Sequence, residues 1–128
     1  MYDIIVGVDT DVERARTQAE AIAALPGSEE INAILVHVFG DEGGDMESVD
    51  AVEEARSLLE EANVEVTTEG VGGDTAMALL DTAARYEADC LCVAGRKRSP
   101  TGKALFGSVT QDVIMGTDRP TLVCSTEE

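Results

Sequence analysis

Positive charge is what this sequence has least of. Nine Lys and Arg, only two of them Lys, face 26 Asp and Glu in 128 residues, for a formal charge of −17. A surface of that sign repels phosphate backbones, which excludes nucleic acid and anionic membranes as expected partners. Cysteine is scarce too, at three residues. Cys90 and Cys92 fall on one face of a predicted strand and Cys124 in another. That spacing fits neither a zinc site nor a disulfide framework, so all three read as small buried hydrophobes. Long apolar runs are missing: the longest, Ala33 to Phe39, is far short of the roughly 20 residues a membrane helix needs. Met1-Tyr2-Asp3 leads straight into an apolar run with none of the regions of a signal peptide, so a cytoplasmic location is expected.

Signatures of catalysis are absent as well. There is no Gly-x-Ser-x-Gly, no Cys/His pair of known type and no cluster of metal ligands. Lys97-x4-Gly102-Lys103-Ala104 lacks the first Gly and the final Ser/Thr of a P-loop. His37, the one histidine, ends a predicted strand and reads as a packed residue bonded to backbone rather than a catalytic base. An enzyme is therefore not the favoured reading. A slow ATPase is the enzymatic alternative, with Asp9 the one good carboxylate to hold Mg²⁺.

What is present begins with an ordinary apolar content of 44%, enough for one domain over residues 1–128. The acids are dispersed in pairs such as Glu29-Glu30, Glu53-Glu54 and Glu60-Glu61. Dispersed acidity with little Lys suits high salt, where a Debye length of ~3 Å screens self-repulsion, and predicts a halophilic protein. An acidic docking face would instead be clustered.

Five short runs rich in Val, Ile, Leu and Cys read as strands: Asp3–Val8, Asn32–Phe39, Val64–Gly70, Asp89–Ala94 and Pro120–Ser125. Four helical patterns separate them. The first follows a capping box, Thr10-Asp11-Val12-Glu13, with Val12, Ala15, Ala19 and Ile22 on one stripe until Pro26-Gly27. The second spans Ser48–Ala62, with Val52, Ala55, Leu59 and Ala62 inward. A third starts behind Asp74 with Met77, Leu80 and Ala84 inward. The last opens on a second capping box, Ser108-Val109-Thr110-Gln111, with Val109, Val113 and Ile114 apolar and Gly116 at its exit. Strands alternating with helices give an α/β fold with a parallel sheet and helices on both faces.

Four of the nine basic residues, Arg96, Lys97, Arg98 and Lys103, lie within eight positions, and no acid interrupts the stretch from Gly95 to Ser108. Such a loop is either solvated or an anion site. Position favours the anion. With a strand order of 3-2-1-4-5, ligands bind where strands one and four diverge. There strand one delivers Asp9 and Thr10, strand four delivers Gly95 and the basic loop, and the helix beginning at Gly107-Ser108 aims its N-terminus at the same cleft.

Asp9 after strand one, His37-Val38 closing strand two, Gly72-Gly73-Asp74 and Gly107-Ser108-Val109-Thr110 together resemble the universal stress protein family over essentially the whole chain. The resemblance implies a Rossmann-like, adenine nucleotide alpha hydrolase-like sheet of order 3-2-1-4-5. It implies a regulatory role and a homodimer through the C-terminal strand, the predicted edge carrying Leu122, Val123 and Cys124. Some members bind ATP or AMP, with Mg²⁺ an expected companion, through Gly-x2-Gly-x9-Gly-Ser/Thr; others bind no nucleotide. Here Gly107-Ser108 matches that motif. The upstream glycines fall at Lys97 and Ala94, and Gly95 and Gly102 stand out of register. Lys97 either obstructs a polyphosphate or contacts it. By resemblance, Asp9 and Thr10 lie near the ribose or adenine and the Val38 backbone meets the base. Gly95, Arg96, Lys97, Arg98, Gly102, Gly107, Ser108 and Val109 would surround phosphate. Asp9 also suits a turn or N-cap. The expected function is a regulatory protein that binds an adenine nucleotide, the alternative a homodimeric interaction protein that binds none.

Overall fold

The computed structural model describes residues 1–39, 44–95 and 107–125. Five parallel strands, β1 (Tyr2–Gly7), β2 (Ile31–Val38), β3 (Glu65–Val71), β4 (Cys90–Gly95) and β5 (Thr121–Ser125), form one sheet in the order β3-β2-β1-β4-β5. Each lies within one residue of its sequence-predicted span. Between them run α1 (Val12–Ala23), α2 (Asp50–Glu61), α3 (Thr75–Tyr86) and α4 (Ser108–Gly116). Among the described residues no helix is long and apolar enough to cross a membrane.

Alternation along the central strands divides the core in two. Ile4, Val6 and Val8 of β1 join Ala15, Ala19 and Ile22 of α1 and Val52, Ala55 and Leu59 of α2 on one face. Ile5, Ile34, Val36, Leu91 and Val93 face Leu79 and Ala83 of α3 and Val113 of α4 on the other. The buried face of α3 differs from the expected stripe by one position. Ala76, Leu79 and Ala83 are buried, Leu80 is half-buried, and Met77 and Ala84 face outward. The alanines let the helix approach the sheet closely, an advantage that side-chain size alone does not reveal.

Two helix starts also differ. Asp11, not Thr10, caps α1, its carboxylate accepting from the Arg14 N–H at 3.0 Å. At α4 the cap residue is Gly107, and Ser108 is the first helical residue, exposed, with no side chain capping the end. The hydroxyl that matters there is Thr110, buried and donating to the Ala94 carbonyl at 2.8 Å. That bond fixes the rotation of α4 and leaves Val109 and Ile114 partly exposed.

The cysteines lie where apolar residues would. Cys90 and Cys92 are buried and Cys124 is half-buried, with the Cys92 and Cys124 sulfurs 3.7 Å apart. This contact, with burial, pushes the Cys92 thiol well above its ordinary pKa; the same contact lowers that of Cys124 against the opposing effect of burial.

Candidate functional site

The β1–β4 ladder pairs Ile4, Ile5 and Val6 with Cys90, Leu91 and Cys92, then stops. Beyond it the strands separate, because α1 covers one face of the sheet and α3 the other. Backbone carbonyls at the split need a donor. Gln18 of α1, fully buried, supplies it, its Nε2 donating to Gly7 O at 2.9 Å and to Cys92 O at 3.4 Å. The sequence stripe omitted Gln18 because it is polar.

Two adjoining cavities open above this split. The larger, about 350 Å³, lies among Gly7–Thr10 at the carboxyl end of β1, Val36–Val38 of β2, Thr75 and Leu79 of α3, Val93 and Ala94 of β4, and Val109 and Thr110 of α4. At its floor the Leu79 side chain packs over Gly7, and a Cβ there would stand 2.8 Å from Leu79 Cδ1 and push it aside. His37 is buried on its wall, with Nδ1 donating to Val8 O at 2.7 Å and the ring edge-on to Phe39 at 4.7 Å between centroids. The second cavity, about 180 Å³, lies among Asp9, Arg14, Ala94, Gly95 and Gly107–Thr110. It meets the start of α4, whose first backbone N–H groups have no side-chain cap and carry the positive end of the helix dipole.

The sequence-predicted residues therefore divide as follows. Asp9, Thr10, Val38 and Val109 line the larger cavity, and Asp9, Gly95, Gly107, Ser108 and Val109 line the smaller. Arg96, Lys97, Arg98 and Gly102, with the rest of the basic loop, lie outside the described residues. Asp9 belongs to both cavities. Its Oδ1 accepts the Asp11 N–H at 2.8 Å and its Oδ2 pairs with Arg14 Nε at 2.8 Å. Arg14 was not singled out in the sequence; its signal was a cation in the first turn of a helix, where anions are favoured.

A model of the universal stress protein family matches residues 1–125. This chain belongs to the universal stress protein family. Among solved universal stress proteins, one from Archaeoglobus fulgidus is 26% identical, with a TM-score of 0.74 over 97% of this chain and 98% of that one. A structure of the universal stress protein from the same organism in complex with dAMP is 20% identical, with a TM-score of 0.73 over 97% and 98%. An Arabidopsis thaliana family protein with AMP bound is 13% identical, with a TM-score of 0.70 over 98% and 92%. No curated protein matches the chain. These universal stress proteins share the fold in which the two cavities form.

Proposed function

We propose that this universal stress protein is a cytoplasmic regulatory module that binds an adenine nucleotide at the β1–β4 split. The observation that carries this reading is the adjoining pair of cavities. The larger is lined mainly by aliphatic side chains, with backbone of β1 and β2 at its rim, and suits a purine and its ribose. The smaller is polar and meets an uncapped helix N-terminus, which suits phosphate. Relatives solved with dAMP and AMP support the choice of adenine.

Both AMP and ATP suit this arrangement. Mg²⁺ would arrive with ATP, held by its phosphates and water. Among the described residues no group of three His, Cys, Asp or Glu side chains is placed to hold a metal, and Asp9 is already paired to Arg14. Titration calorimetry of the purified protein with AMP, ATP and GMP tests the reading. Heat with the adenine nucleotides and little with GMP is the expected result; no heat with AMP or ATP refutes it.

We further infer a homodimer formed along β5. This strand is a sheet edge, it carries Leu122, Val123 and Cys124, and Val123 is 36% exposed. An apolar edge of this kind invites pairing with a second copy. Val123→Asp is expected to convert dimer to monomer by light scattering. A wild-type monomer would remove the inference.

A further inference from the structure

We propose that Arg14 makes the cleft selective for phosphorylated over unphosphorylated adenosine, an inference that rests on the nucleotide reading above. Of the described residues lining the two cavities, Arg14 is the only Lys or Arg and Asp9 the only carboxylate. The two are ion-paired at 2.8 Å, with Asp9 lining both cavities and Arg14 the polar one.

Electrostatics gives the pair its meaning. A phosphate at the start of α4 shares its cavity with Asp9 and approaches a protein of charge −17. An unpaired carboxylate there opposes the phosphate. Arg14 cancels that charge, and its five N–H donors exceed what Asp9 and Asp11 take from it. The Asp11 carboxylate lies 3.5 Å from Arg14 Nη1, so the guanidinium is braced from two sides. Donors remain beyond these two contacts, and Arg14 lines the polar cavity together with Gly107 and Ser108.

Local rules are broken to put this cation here. Arg14 stands in the first turn of α1, its own N–H bonded to the Asp11 cap at 3.0 Å. A positive side chain at that position opposes the helix macrodipole. Two carboxylates offset the conflict, and the guanidinium ends up facing a cavity. The larger cavity does not include Arg14, so adenosine meets it only through the Asp9 carboxylate that the two cavities share.

The test is calorimetric titration of wild type, Arg14→Gln and Arg14→Lys with AMP and with adenosine at moderate salt, each variant checked by thermal melting. Loss of a charge-assisted contact in Arg14→Gln is expected to weaken AMP by about ten- to a hundredfold and to weaken adenosine far less. Arg14→Lys keeps the charge without the braced fork and should retain part of the preference. The AMP affinity of Arg14→Gln should also depend less steeply on salt. Equal losses for AMP and adenosine would make Arg14 a merely structural brace and overturn the proposal, as would unchanged AMP binding in both variants. If wild type binds neither ligand, the nucleotide reading itself fails and the proposal falls with it.

Discussion

Replacing Gly107 with valine is expected to abolish adenine-nucleotide binding while the fold survives. Gly107 is the cap residue of α4, with φ −73° and ψ 167°, a conformation any L-residue adopts. The substitution therefore brings no backbone strain. Its cost to stability is that of a poor N-cap, roughly 1 kcal/mol. What changes is access. A phosphate accepting from the N–H groups at the start of α4 must come within about 3 Å of backbone, and a branched Cβ at position 107 stands in that approach. Charges are untouched, so a loss of binding reports on geometry alone. Calorimetry with AMP and ATP, paired with a thermal melt, separates the two effects. Valine binding as well as glycine would move the anion site away from α4.

The second large effect is expected on stability, from Gln18→Leu. The side chain is similar in size and the site is fully buried, so packing is nearly preserved. The donor is lost from the Gly7 and Cys92 carbonyls, which it reaches at 2.9 and 3.4 Å. Leaving buried acceptors without a partner costs about 1–3 kcal/mol, which in a domain of this size lowers Tm by roughly 3–15 °C. A melting temperature equal to wild type would show that the split is satisfied without Gln18. The substitution should weaken nucleotide binding as well, because Gly7, whose carbonyl Gln18 holds, lines the larger cavity.

The order of elements and the switch point were legible because strand and helix periodicities differ strongly here, and strands buried on both faces read as unbroken apolar runs. Helix starts were less so. Thr10 and Asp11 are both good caps, and only the approach of the Arg14 N–H to Asp11 decides between them. At α4 the Ser108-to-Gln111 spacing suggested a reciprocal cap, yet Thr110 takes the structural role because it faces the end of β4. The α3 stripe was misread because Met77 and Leu80 outweighed the small residues that face the sheet. Arg14 and Gln18 were invisible for a deeper reason. A polar side chain acquires its role from partners brought near by the fold, here Asp9 across a turn and two carbonyls across the split between strands.

Near its two ends α4 is tied to one strand and its approach. Thr110 bonds to Ala94 near the carboxyl end of β4, and Arg119, just beyond the helix, donates through Nε to Ala88 O at 2.9 Å, just before β4 begins. These two bonds tie the helix to a single strand at both ends. Occupancy of the cleft therefore has little displacement to pass toward β5. On the nucleotide reading proposed above, an anion held by the first turn of α4 would change that turn's stiffness more than its position, and a neighbouring molecule would sense a stiffer surface of unchanged shape.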